Sequence, residues 1–129
     1  MLAYHHTPPP LTRLVLADPS TRARLALADS LGDLGWLEVM AAAEDGRALA
    51  AAVGDRIPDV LVIDDRLLAG DAASFPRLDV HIGVIVLGMD DDPAFAARAA
   101  RQGAVAWLAK ERAAEELPGL LRGLCAGQS

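Results

Sequence analysis

Charged residues directly follow three apolar stretches of this chain, and they are Asp18, Asp64, Asp65 and Lys110. The most apolar stretch, Val60-Leu61-Val62-Ile63, is rich in β-branched residues and suits a strand that helices cover on both faces. In open parallel α/β sheets, ligands bind at the carboxyl ends of the strands. We therefore predict a functional site at this edge of a sheet, with exposed carboxylates at its centre.

Strand and helix patterns alternate along the chain. Apolar runs predict strands over residues 14–18, 36–41, 59–65, 84–87 and 105–109. Such alternation implies parallel strands joined by right-handed crossovers. The predicted fold class is therefore α/β, with a doubly wound, three-layer arrangement around a five-stranded parallel sheet.

Helices are predicted over residues 21–34, 46–53, 70–78, 93–102 and around 117–124. Gly54 is expected to stop the second helix, and Pro76 to keep the third one short. Asp92 and Pro93 form a cap and first turn for the fourth helix. Pro118 is compatible with the last helix only in its first turn.

The bulk composition indicates one domain and limits its partners. The chain has 129 residues, of which 53% are hydrophobic, enough for a single core. Its net charge of −6 argues against binding nucleic acid through its own surface. No apolar run approaches the roughly 18 residues of a membrane span. Cys125 is the lone cysteine, so we expect no internal disulfide and a reducing, cytoplasmic location.

The first ten residues, MLAYHHTPPP, differ in character from the rest. They lack the basic head and apolar body of a secretory signal. Pro8-Pro9-Pro10 favours an extended chain. We predict a flexible arm over residues 1–10, whose His5 and His6 could bind metal only adventitiously.

Five short motifs follow one another in a characteristic order and spacing: Asp18, Pro58–Asp64, Val84–Leu87, Gly103–Lys110 and Glu115-Glu116-Leu117. Together they resemble the receiver domain of bacterial two-component response regulators, in the NarL/FixJ-like branch. The resemblance covers about residues 11–126 and leaves 127–129 as a tail or the start of a linker. It implies a CheY-like, flavodoxin-like sheet with strand order 2-1-3-4-5, and a signalling domain rather than an enzyme.

The resemblance also assigns roles to charged residues at the predicted edge. Asp64 would accept a phosphoryl group, and Lys110 would contact its carboxylate and then the phosphoryl oxygens. Asp18, Asp64 and the backbone carbonyl of Arg66 would hold Mg²⁺, which prefers oxygen ligands. Neighbouring side chains of a strand point to opposite faces, so only Asp64 or Asp65 can face Asp18 and Lys110. Strand register favours Asp64, which leaves Asp65 as a solvated neighbour.

Two positions depart from the family pattern. Pro19 stands where a second acidic residue usually follows Asp18, so the Mg²⁺ site should be weak or absent. Gly88 stands where a serine or threonine usually binds the phosphoryl group and lets an aromatic residue swing inward. We expect Gly88 to leave a standing space beside Trp107, and this switch pair to be uncoupled from the site.

Two functions remain open at this stage. In the first, the domain accepts a phosphoryl group on Asp64 with a weakened Mg²⁺ site. In the second, it is a receiver-like interaction module that responds to a partner or ligand without phosphorylation. An unrelated small enzyme is disfavoured, since the sequence contains neither a G-x-S-x-G nor a G-x-x-x-x-G-K-[ST] motif.

The expected partners also follow from the resemblance. A sensor histidine kinase would supply the phosphoryl group. A homodimer is predicted through the fourth helix, fifth strand and last helix, where Arg98 and Arg101 would meet Glu111, Glu115 and Glu116. No helix-turn-helix unit is present in the sequence. The chain is thus expected to be a stand-alone receiver or part of a longer regulator whose output domain binds DNA.

Overall fold

The fold is a parallel sheet between two layers of helices. The computed structural model describes residues 11–69, 82–89 and 93–126. The strands are β1 (Thr12–Ala17), β2 (Leu37–Ala43), β3 (Val60–Asp64), β4 (Gly83–Gly88) and β5 (Ala106–Ala109). The helices are α1 (Thr21–Gly32), α2 (Gly46–Asp55), α3 (Asp65–Ala69), α4 (Pro93–Arg101) and α5 (Ala113–Ala126).

All strand pairs are parallel, and the order across the sheet is β2-β1-β3-β4-β5. This confirms the predicted fold class and strand order. Register places Ala17 opposite Ile63, and Asp64 opposite Leu87. The residues that end β1 and β3, or directly follow them, therefore meet at one edge of the sheet.

The alternation of side chains along each strand divides the core between the two faces of the sheet. One face packs against α1 and α5, and its strand residues include Leu14, Leu16, Val60, Val62, Ile85 and Leu87. The other face packs against α2 and α4, and its strand residues include Val15, Ala17, Leu61, Ile63, Val84 and Val86. β3 is buried along its whole length, as its continuous apolar run predicts.

Helix starts follow the local capping chemistry. The hydroxyl of Ser20 accepts the Ala23 N–H at 3.3 Å and caps α1. The carboxylate of Asp45 accepts the Ala48 N–H at 2.8 Å and caps α2. Both caps satisfy N–H groups that have no partner within the helix.

Two helix predictions are wrong. Gly54 lies inside α2, which continues to Asp55, because an isolated glycine weakens a helix without ending it. Pro118 lies in the second turn of α5, since a short 3₁₀ turn at Lys110–Arg112 comes first and α5 begins at Ala113. Burial of Leu117 and Leu121 keeps this helix on the sheet despite the hydrogen bond that proline cannot donate.

A short helix begins where the sequence predicted the last residue of a strand. α3 starts at Asp65, directly after β3, whereas the predicted strand ran to residue 65 and the predicted third helix covered 70–78. That predicted helix, the arm over 1–10, the cap at Asp92 and the tail over 127–129 lie outside the described residues. Within the described part of the chain, no helix combines the length and apolar character that crossing a bilayer requires.

Candidate functional site

Two buried carboxylates and one ammonium group meet at the carboxyl edge of the sheet. Asp18 directly follows β1 and Asp64 ends β3, and their side chains are only 3% and 4% exposed. Lys110, directly after β5, places its Nζ 2.5 Å from Asp64 Oδ2 and 2.7 Å from Asp18 Oδ2. The structure thus brings together three predicted site residues that lie far apart in the sequence. The predicted exposure of the carboxylates is wrong, because both turn inward to their cationic partner.

A second cation, Arg66, completes this cluster. Its Nε donates to Asp64 Oδ1 at 3.1 Å, and its Nη2 to Asp64 Oδ2 at 3.2 Å, in the two-pronged geometry typical of arginine–carboxylate pairs. The same Nη2 lies 3.5 Å from Asp18 Oδ1. The backbone N–H of Arg66 also donates to Asp64 Oδ1, at 2.8 Å. The sequence assigned Arg66 only through its carbonyl group, and the role of its side chain was missed.

These cations decide the ionisation of Asp64. Burial by itself would raise the pKa of this carboxyl, because water stabilises the charged form. The hydrogen bonds from Arg66 and Lys110 outweigh that cost, so the pKa of Asp64 lies below its ordinary value of 3.8. The same hydrogen bond to Asp64 raises the pKa of Arg66. Asp64 is therefore an ionised carboxylate at neutral pH, with two positive charges beside it.

The carboxylate of Asp65 has a different cationic partner. Its carboxylate accepts from Arg98 of α4, with Nε donating to Oδ1 at 3.1 Å and Nη2 in close contact with Oδ2. Asp65 is only 8% exposed, so the prediction of a solvated neighbour is wrong. Since the helix begins at Asp65 itself, the backbone turns there and directs this side chain towards α4.

The predicted standing space beside Gly88 is also absent. A Cβ atom added to Gly88 would lie no more than 2.7 Å from three carbons of the Phe95 ring. Phe95, on α4, is 6% exposed and belongs to the core on that face of the sheet. Trp107 lies on β5 with 43% of its surface exposed. The sequence offered only a weak signal for this arrangement, an aromatic residue just after the start of α4.

A small cavity opens beside the acceptor candidate. Its volume is about 280 Å³, and its lining residues are Asp64, Asp65, Arg66, Gly88, Met89 and Lys110. Arg66 and Lys110 line it together with the ionised Asp64. The cavity can therefore receive a small, negatively charged group next to a carboxylate oxygen.

The same residues fit a divalent cation poorly. Asp18 and Asp64 offer the carboxylate oxygens that Mg²⁺ prefers, but Pro19 adds no carboxylate. Arg66 and Lys110 already contact both carboxylates. Among the described residues, no group of three or more His, Cys, Asp or Glu side chains could hold a metal ion. As arranged, this is a carboxylate pair neutralised by side chains.

The fold is that of response-regulator receiver domains. In sequence, the chain is similar to the transcriptional regulatory protein NarL of Mycobacterium tuberculosis, with 27% identity over 113 residues. The match covers 84% of this chain and 52% of the relative. The chain thus spans about half the length of the curated relatives it matches. No protein-family model matches the chain.

Solved receiver structures share the fold. The signal receiver domain of NarL from Mycobacterium tuberculosis aligns with a TM-score of 0.74 and 24% identity, over 92% of this chain and 99% of that one. The isolated receiver domain of RcsB from Salmonella enterica serovar Typhimurium, with the phosphomimetic BeF₃⁻, aligns with a TM-score of 0.71 and 23% identity. This alignment covers 91% of this chain and 90% of that one. A structure of two RcsB dimers bound to two parallel DNAs aligns with a TM-score of 0.72 and 23% identity, over 91% of this chain and 62% of that one.

Proposed function

We propose that this protein is a receiver domain that accepts a phosphoryl group on Asp64, with at most weak binding of Mg²⁺. One observation carries the proposal: a buried carboxylate is kept ionised by Lys110 and Arg66 and lines a cavity for a small anion. An ionised carboxylate is the nucleophile that such a transfer requires. Asp65 pairs with Arg98 of α4 rather than with Lys110 and Arg66, so Asp64 is the candidate acceptor.

The transfer itself needs little beyond position and charge. A carboxylate oxygen of Asp64 attacks the phosphorus atom of a donor, and the new O–P bond forms as the bond to the leaving group breaks. The leaving group, an imidazole nitrogen of a kinase or the acetate of acetyl phosphate, keeps the electron pair of that bond. Lys110 and Arg66 balance the negative charge that arrives on the phosphoryl oxygens.

Intact mass after incubation with acetyl phosphate tests this proposal. The wild type should gain the mass of one phosphoryl group, and Asp64→Asn should gain none. Asp65→Asn is the matched control, because it removes the adjacent carboxylate and should keep the gain. A gain that survives Asp64→Asn would contradict the assignment. No gain in the wild type would favour the alternative of an interaction module that signals without phosphorylation.

The partners belong to this proposal as well. The names of the relatives describe a transcriptional regulator and RcsB dimers bound to DNA. For this chain we propose a sensor histidine kinase as the phosphoryl donor, and a DNA-binding output domain controlled by the receiver. We further propose self-association through α4, β5 and α5. Arg98 is engaged by Asp65, so the exposed Arg101 is the basic residue on α4 that can meet Glu115 of a second copy.

A further inference from the structure

We propose that the guanidinium group of Arg66 takes the place of a divalent cation at Asp18 and Asp64, and that the native site excludes such ions. The exclusion itself rests only on the geometry of the cluster. Its consequence for phosphoryl transfer rests on the proposed function. The loss of a ligand at position 19 alone would only weaken a metal site, whereas Arg66 closes it.

Each of the four oxygens of the two carboxylates contacts a cationic group. Arg66 covers Oδ1 of Asp64 with Nε at 3.1 Å and Oδ1 of Asp18 with Nη2 at 3.5 Å. Lys110 covers Oδ2 of Asp64 at 2.5 Å and Oδ2 of Asp18 at 2.7 Å. A divalent ion that bridged Asp18 and Asp64 would have to compete with these cationic groups for the same oxygens.

The net charge of the cluster also argues against a bound divalent ion. The two carboxylates and the two cations sum to zero, so an added divalent ion would gain no net attraction from the cluster. Pro19 supplies no further negative charge that would change this balance. Because Asp18 and Asp64 are almost wholly buried, they need cationic partners at all times. Arg66 provides one without a metal.

Arg66 can also serve during the transfer. It donates to Asp64 from both its backbone N–H and its side chain, so it is anchored next to the reacting oxygens. Arg66 lines the cavity in which the phosphoryl group would arrive. Phosphoryl transfer to Asp64 is then expected to proceed without any divalent ion, with Arg66 and Lys110 supplying the positive charge.

Binding of Mn²⁺, followed by the electron paramagnetic resonance of the free ion, tests the exclusion without a phosphodonor. The comparison is Arg66→Met against the wild type, and Pro19→Asp/Arg66→Met against Pro19→Asp. In each pair, loss of the guanidinium should tighten Mn²⁺ binding at least about tenfold, or about 1.4 kcal/mol. Arg47→Met, which removes an exposed arginine of α2, should bind as weakly as the wild type. Equal affinity with and without Arg66 in both backgrounds would overturn the proposal.

Intact mass then separates this inference from the proposed function. The wild type should gain a phosphoryl group from acetyl phosphate equally well in EDTA and in Mg²⁺. A gain that requires Mg²⁺ would refute the inference and leave the proposed function standing. No gain under either condition, together with tighter Mn²⁺ binding in the Arg66→Met variants, would refute the proposed function and leave the exclusion standing.

Discussion

The ring of Phe95 occupies the space in which any side chain at position 88 would begin. It comes from α4 and packs on the end of β4, next to the site. Gly88 is therefore more than a missing hydroxyl group, because its bare α carbon is what allows α4 to lie this close. The two residues form one packing unit.

The packing of Phe95 on Gly88 predicts that a methyl group added at position 88 destabilises the fold. Gly88→Ala should lower the free energy of unfolding by about 1–3 kcal/mol, because the new Cβ overlaps the Phe95 ring. Gly83→Ala is the control on the same strand, where a Cβ would meet its nearest neighbours at an ordinary 3.8 Å. Denaturant titration measures both. Combining Gly88→Ala with Phe95→Leu should cost less than the sum of the single changes. Equal stability of the two alanine variants would contradict this packing.

Trp107 should not respond to a phosphoryl mimic. It is exposed, and Phe95 fills the room beside Gly88 that an inward movement would use. In a Trp36→Phe background, which leaves Trp107 as the lone tryptophan, its emission maximum should be the same with and without BeF₃⁻. A blue shift on addition of the mimic would show that the ring enters the core and that the switch is coupled.

The ionisation of Asp64 predicts how stability depends on pH. Its folded pKa lies below the unfolded value of about 4, so the folded state favours the charged form. The stabilisation is complete above the unfolded pKa and is lost as pH falls through the folded pKa. The wild type should therefore lose unfolding free energy relative to Asp64→Asn as pH drops from 6 towards about 3. A difference that is independent of pH would contradict this account.

The ion pair between Asp65 and Arg98 should contribute to stability. Arg98→Met leaves a buried carboxylate without these hydrogen bonds, which is expected to cost about 1–3 kcal/mol of unfolding free energy. Arg101→Met, on the same helix but exposed, should change stability by less than about 0.5 kcal/mol. Denaturant titration of both variants checks this, and equal costs would show that the pair does not hold α4.

Self-association predicts a different role for Arg101. If α4, β5 and α5 form a symmetric interface, Arg101→Glu should shift the domain from dimer to monomer in sedimentation experiments, because it would face acidic residues of α5. Arg47→Glu on α2 is the control with the same charge change. A wild type that stays monomeric at high concentration, or a dimer that tolerates Arg101→Glu, would remove this proposal.

The sequence predicted the strands well because a continuous apolar run has few alternatives, and β3 shows this most clearly. It also predicted which edge of the sheet carries Asp18, Asp64 and Lys110. The fold alone places these residues, since they directly follow or end their strands. Period-two alternation predicted that only one of Asp64 and Asp65 would face the other two, and strand register favoured Asp64.

The features that the sequence did not predict depend on side-chain conformations and on how closely the helices approach the sheet. A sequence pattern does not show that Arg66 folds back over Asp64, because a surface arginine has many rotamers of similar energy. Nor does it show that Phe95 fills the space beside Gly88, which depends on how closely α4 approaches the sheet. Asp65 was misjudged because the strand was predicted to run through residue 65, whereas α3 begins there and the side chain turns towards α4.

The junction between β3 and α3 contains no connecting residue, so Asp64 and Asp65 share one peptide bond while their carboxylates bind different cations, Lys110 and Arg98. No loop residue at this junction can therefore absorb a change in chain length. An inserted or deleted residue would rotate one carboxylate away from its cationic partner, whichever side absorbed the change. The turn between α1 and β2, where Asp33 and Gly35 are exposed, has no comparable constraint. Changes in chain length should therefore be tolerated there and selected against at the junction.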